Sequence, residues 1–211
     1  MRICLATTLF PNREQPTRSL YNLRLVQALR RLGHEVCVLA PIPWCPGIDP
    51  VLRRRRLPPL EEVVDGTRVL HPRFFYTPGV FISKHYLMYR YGVAPVLKEV
   101  IAEYEPGHVI LGFVYPDAAA MAPVCREQGL EYSVLVLGSD FRIRVRHPGF
   151  RRIVLKTLGQ APLVLCPGEA LKRAMAEAGI EARKIVAFRN GVDHSVFQPL
   201  SVALRPTSPS P

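Results

Sequence analysis

The stretch MRICLATTLFPNREQPTRSLYNLRLVQALRRLGHEVCVLA, Met1–Ala40, decides the fold. Ile3-Cys4-Leu5-Ala6 is apolar at every position, as a strand covered on both faces must be. Thr17–Leu32 then sets Leu25, Val26, Leu29 and Leu32 on one helical stripe, and Gly33 stops the helix. Glu35–Ala40 (EVCVLA) is a second apolar strand, ended by Pro41 and Pro43. Strand, helix and strand in so short a span form a βαβ unit, and its two strands run parallel.

The alternation continues outward from this unit. Arg68–Leu70 predicts a third strand. Lys84–Glu105 predicts a helix with Leu97, Val100, Ile101 and Tyr104 on its stripe and Pro95 at a kink or a helix start. Val109–Leu111, Glu131–Leu137, Leu163–Cys166 and Lys184–Phe188 read as strands. Pro116–Gln128, Phe150–Leu158 and Glu169–Ala178 read as the helices between them, the last closed by Gly179. The expectation is an α/β fold: a Rossmann-like, mostly parallel sheet of about seven strands, with helices on both faces and right-handed crossovers. Residues 41–66 read as one long irregular loop, and Ser201–Pro211 (SVALRPTSPSP) as a Pro/Ser-rich linker or tail.

Composition narrows the classes. An apolar share of 48% over 211 residues excludes wholesale disorder. No apolar run reaches the ~18–20 residues that span a bilayer. Met1–Phe10 is too short in its apolar run for a signal peptide and reads as the first strand. Cys4, Cys37, Cys45, Cys125 and Cys166 include no CxxC pair, so reduced buried thiols are favoured over zinc or disulfides. The net charge is +11, from 28 Lys+Arg against 17 Asp+Glu. It is concentrated in Arg53–Arg56 and in Arg142, Arg144, Arg146, Arg151 and Arg152. Such clusters attract phosphates on nucleotides, anionic lipids or nucleic acid, and a solvated basic face is the plainer reading. Without an aromatic-interleaved RNA motif or zinc-finger spacing, specific nucleic-acid binding is not expected.

Ligands of open α/β sheets sit at the carboxyl ends of the strands. The first such loop, Thr7–Arg18, has no glycine, so neither a GxGxxG dinucleotide turn nor a Walker A loop can form there. The loop after the fifth strand, Leu137-Gly138-Ser139-Asp140-Phe141, offers a tight backbone, a hydroxyl and a carboxylate. Gly-Ser-Asp is also an ordinary turn and helix cap, and Asn190-Gly191 is a common turn.

In order, these pieces resemble the amino-terminal domain of the retaining family-4 glycosyltransferases, which have two Rossmann-like lobes (the GT-B fold). The carrying segments are the first βαβ unit with Gly33-His34-Glu35-Val36, Val109–Ala118 (VILGFVYPDA), Leu137–Asp140, Leu163–Leu171 (LVLCPGEAL) and Lys184–Pro199 (KIVAFRNGVDHSVFQP). The last, with Asn-Gly-Val-Asp, is the most specific. Three positions depart from the family pattern. Arg18-Ser19 stands where a glycine is expected, Leu137 where many members have histidine, and Gly168 where serine is usual.

The resemblance implies that residues 1–199 form the acceptor-side lobe, that 200–211 form a tail, and that the donor-binding carboxy-terminal lobe lies outside these 211 residues. It implies a nucleotide-diphosphate sugar as donor, a glycan or lipid-linked acceptor, retention of anomeric configuration and no essential metal. It places Gly138, Ser139 and Asp140 in the cleft, with Arg18 and Asn190 as weaker candidates, and assigns no catalytic base. His34 sits at a helix-to-strand turn on the far edge of the sheet, and His147 reads as a surface residue. The implied location is cytoplasmic, peripheral at the inner face of the membrane. A lobe without its partner is expected to be inactive and to self-associate through its exposed cleft. The alternative is a stand-alone basic module for anionic lipid or another phosphate-rich partner.

Overall fold

The computed structural model describes residues 1–45, 56–189 and 191. The strands are β1 (Arg2–Ala6), β2 (Glu35–Leu39), β3 (Ile42–Trp44), β4 (Glu61–Val64), β5 (Thr67–Leu70), β6 (Arg73–Phe75), β7 (His108–Gly112), β8 (Tyr132–Leu135), β9 (Leu163–Pro167) and β10 (Ile185–Phe188). The helices are α1 (Leu20–Arg31), α2 (His85–Tyr104), α3 (Ala119–Glu127), α4 (Ser139–Arg142), α5 (Pro148–Gln160) and α6 (Glu169–Glu177). No helix among the described residues is long and apolar enough to cross a membrane.

Eight strands form one sheet in the order β10-β9-β8-β7-β1-β2-β5-β4, parallel throughout except for β4 against β5. All seven expected strands are in it. β1 pairs with β2 on one side and β7 on the other, so the chain builds outward from β1, then returns to its other edge. The two faces of β1 feed two cores, as strand alternation requires. Ile3 and Leu5 join Val36, Val38 and Val69 under Val26 of α1. Cys4 and Ala6 join Val109, Leu111 and Val134 under α2, α3 and α5, with Leu171 and Met175 of α6 in the same core. All five cysteines are buried.

Two features correct the sequence reading. The stretch taken as an irregular loop, 41–66, contains β3 and β4. β4 and β5 are a hairpin closed by Asp65-Gly66, whose φ values of 48° and 70° are those of the two-residue turn that Asp-Gly favours. β3 pairs in parallel with β6 to form a separate small sheet. The second correction is at the helix expected from Pro116. A wide turn over 114–118, in which Tyr115 is extended, precedes α3, and the Tyr115–Pro116 peptide is cis. Pro95 lies inside α2.

α2 lies directly on β6. A Cβ at Gly92 would stand 2.6 Å from the Arg73 carbonyl oxygen and 3.0 Å from Phe74 Cα. The same approach stacks Tyr89 on Phe74 with ring centroids 4.9 Å apart. An alanine in mid-helix ordinarily stabilises by about 1 kcal/mol over glycine. Here the backbone it meets cannot move aside without shifting a strand. We expect Gly92→Ala to destabilise the fold by about 2 kcal/mol or more, read as a lowered urea midpoint with an unchanged slope.

Candidate active-site crevice

The reversal of strand order at β1/β7 opens a crevice beyond their carboxyl ends. Three loops border it: that after β1, that after β7 and that after β8. Two buried carboxylates tie them together.

Asp117, fully buried, reaches from the β7 loop to the β1 loop. Its Oδ1 accepts the Thr8 N–H at 3.1 Å and its Oδ2 the Thr8 hydroxyl at 3.1 Å. The buried Tyr89 hydroxyl interacts with it electrostatically but makes no hydrogen bond of ordinary geometry. Burial pushes the Asp117 carboxyl up to about 8, against the opposing pull of Tyr89 and Thr8.

Asp140 reaches from the β8 loop to the β7 loop. Its Oδ2 accepts the Val114 N–H at 3.0 Å, and its Oδ1 accepts the N–H groups of Gly138 at 2.9 Å and Leu137 at 3.1 Å. Burial raises its pKa, and these three donors oppose the rise. Gly138 makes the geometry possible: its φ of 114° starts α4 in a conformation that a side chain would strain. Of the expected triad, Asp140 is therefore an internal tie, Gly138 the turn, and Ser139 the exposed member on the rim.

The β1 loop is braced from its other end. Asn22 of α1 is buried and its amide donates to the Leu9 carbonyl at 2.5 Å and the Thr7 hydroxyl at 3.3 Å. Arg13 donates its backbone N–H to Glu62 of β4 at 3.2 Å. Arg18 is half-buried and donates to Gln15 at 2.8 Å. Asn190, with most of the Asn-Gly-Val-Asp signature, and Arg53–Arg55 lie outside the described residues. His34 stands at the opposite, amino-terminal end of the sheet, preceding β2, and His147 is exposed.

The sequence reading singled out none of Thr8, Asp117, Tyr21 and Arg144 as a site residue: it placed Asp117 only within the Val109–Ala118 segment and Arg144 only within a basic cluster. Tyr21, the second residue of α1, is partly exposed, and burial, with smaller contributions from the charges of Asp140 and Asp117, raises the pKa of its hydroxyl. Arg144, after α4, lies over the rings of Tyr115 and Phe150 at 4.6 and 4.5 Å. Thr7-Thr8 ending an apolar strand was a readable signal. Arg144 carried none beyond its charge, because its partners are set by the fold.

The family described as Glycosyltransferase Family 4 matches residues 19–196. A protein of Bacillus subtilis that bears the name teichuronic acid biosynthesis glycosyltransferase TuaC is 24% identical over 198 residues, covering 91% of this chain and 49% of that protein. The chain thus spans about half the length of the curated relative it matches. Among solved structures, a sucrose-phosphate synthase of Thermosynechococcus elongatus aligns with a TM-score of 0.60 at 13% identity, over 93% of this chain and 92% of that one. The UDP-GlcNAc 2-epimerase of Methanocaldococcus jannaschii aligns at 0.56 and 13% identity, over 89% and 45%. These likenesses show the fold.

Asp117 links the crevice to pH. A carboxyl whose pKa is higher folded than unfolded binds its proton more tightly in the folded state. Its contribution is full below its ordinary range and is lost as pH rises through about 8. Asn keeps an acceptor for the Thr8 N–H without the buried charge. Between pH 5 and pH 8 the wild-type chain should therefore lose stability relative to Asp117→Asn. The ceiling is about 1.4 kcal/mol per pH unit, and urea denaturation at the two pH values measures it.

Proposed function

The chain belongs to glycosyltransferase family 4, and we propose that it supplies the acceptor-side wall of a sugar-transfer cleft. The observation that carries this is the crevice at the β1/β7 reversal, whose three loops are held by Asp117 and Asp140 in a chain that matches the family over residues 19–196. Asp140 is occupied by three backbone donors and Asp117 by the N–H and hydroxyl of Thr8, so they fix the wall. The groups left to meet a ligand are the Ser139 and Tyr21 hydroxyls and the Arg144 guanidinium.

In this reading the donor is a nucleotide-diphosphate sugar and the acceptor a glycan or lipid-linked glycan. The diphosphate leaves as charge develops on it, and fixed positive groups with backbone N–H donors stabilise that charge. Holding donor and acceptor in register supplies much of the remaining acceleration. Transfer proceeds with retention and without an essential metal. Residues 1–199 are the acceptor-side lobe, and the donor is gripped by a second lobe.

Incubation with a panel of radiolabelled nucleotide sugars and a membrane-extract acceptor pool tests this. The 211-residue chain alone should give less than about 1% of the transfer seen when it is joined to the carboxy-terminal half of a two-lobed family-4 enzyme. Robust transfer by the chain alone would refute the divided cleft.

A peripheral place on the cytoplasmic face of an anionic membrane is favoured by one observation. Val80, Phe81 and Ile82 are 52%, 62% and 52% exposed at a loop tip followed by Lys84. Ser83 of that tip lies against Gly149, beside the arginines at 142–152. Apolar tips with basic flanks insert among anionic headgroups. Co-sedimentation with phosphatidylglycerol vesicles should fall at least fivefold in Phe81→Ser and weaken with salt in the wild type. Equal binding to neutral phosphatidylcholine vesicles would remove this reading.

A further inference from the structure

Arg144 is held differently from Arg30 and Arg68. A groove of about 930 Å³ at the amino-terminal end of the sheet is lined in part by Arg30 and Arg68. Those two are already engaged: Arg30 donates to the Asp65 carbonyl and the Thr67 hydroxyl, and Arg68 pairs with Glu61 at 2.7 Å and Glu103 at 4.0 Å. Arg144 has no such partner. Among the described residues none accepts a hydrogen bond from its guanidinium.

What Arg144 has is a seat. The Tyr115 and Phe150 rings meet edge to face, 89° apart with centroids at 4.9 Å, and the guanidinium lies over both. Tyr115 is itself anchored, its hydroxyl donating to the Ile82 carbonyl at 2.5 Å and accepting the Tyr86 N–H at 3.3 Å. Contact with two ring faces restrains a guanidinium without spending its N–H donors on an acceptor. Asp140, the carboxyl whose charge acts on it, has both oxygens committed to backbone donors. The seat adjoins the crevice, because Tyr115 follows β7 and Arg144 follows the Gly-Ser-Asp turn after β8.

A planar fork with free N–H edges fits an oxyanion bidentately. Carboxylate and phosphate both match the fork. The surrounding charge decides between them: exposed Arg142, Arg146, Arg151 and Arg152 share the segment, a field suited to a multiply charged group. We propose that Arg144 is a phosphate-recognition residue, and that the group it holds is a phosphoryl group on the acceptor. The acceptor part rests on the acceptor-side reading above. The phosphate site does not, and it would survive that reading's failure.

Calorimetric titration at constant ionic strength tests both parts on the 211-residue chain. Inorganic phosphate should bind saturably in the millimolar range, and acetate at least tenfold more weakly. Arg144→Gln should weaken phosphate binding at least tenfold. Arg144→Lys keeps the charge but loses the fork, and should weaken it at least threefold while preserving the thermal midpoint. Arg173→Gln, the same loss of charge at an exposed position of α6 outside this segment, should change it less than twofold. Equal losses in Arg144→Gln and Arg173→Gln, or no saturable phosphate binding by the wild type, would overturn the site. Dihexanoyl phosphatidic acid and UDP separate the two sources of phosphate. The lipid phosphate should bind at least tenfold tighter than UDP, in an Arg144-dependent manner. The reverse order would give the site to the donor and overturn the acceptor assignment.

Discussion

The crevice depends on two buried carboxylates hydrogen-bonded to main-chain N–H groups. Burying a carboxylate is costly unless donors replace the lost water. Asp140 recovers three such bonds from Val114, Leu137 and Gly138. Asp117 recovers two, both from Thr8, and its pKa is driven well above the ordinary range. Asp140 adds to that rise, since its charge acts on Asp117 through space. Three of their five bonds join the loops after β1, β7 and β8, which parallel pairing alone leaves independent past the last ladder bond, and the other two brace the β8 turn itself. Removing either carboxylate would orphan buried N–H groups and free one loop from its neighbour.

The same economy explains the first turn of α1. Arg18-Ser19 stands where the family resemblance predicts a glycine, and Ser19 adopts φ 56° and ψ 50°, the left-handed conformation that glycine takes freely. For a residue with a side chain this costs roughly 1–2 kcal/mol. The loop tolerates it because the surrounding structure over-determines it. Asn22 bonds both Thr7 and Leu9, and the Asn22 N–H donates to the Ser19 carbonyl at 3.0 Å. The backbone path expected of a glycine is therefore kept, with a serine side chain added beside the crevice.

The sheet was legible because its strands are short, apolar on both faces and separated by striped helices. That pattern has one economical solution, the parallel layered sheet. β4 was overlooked because its alternating exposure, Glu61-Glu62-Val63-Val64, resembles a polar loop, although the Asp65-Gly66 turn that pairs it with β5 was in plain view. β3 and β6 were beyond reach for another reason: three residues each, they are strands only because they lie beside one another. Of the candidate site, the Gly138-Ser139-Asp140 turn was legible as a unit but its internal division of labour was not. Which side chain turns inward depends on where the Val114 N–H stands, and that is a tertiary fact.

Charge shows the same limit most clearly. A net charge of +11 says that phosphates will be attracted somewhere. It does not distinguish an arginine spent on a carboxylate from one waving in water or one held ready. Arg68 is spent, on Glu61 and Glu103. Arg142 and Arg146, two residues on either side of Arg144, are exposed. Only Arg144 of this trio lies over aromatic rings among the described residues, and its partners come from 29 residues before it and 6 after it. A mobile arginine must lose rotamer freedom on binding, of order 1.5–2 kcal/mol for so long a side chain. The two rings have already taken that freedom from Arg144, so an arriving oxyanion meets a donor whose ordering was completed when the chain folded.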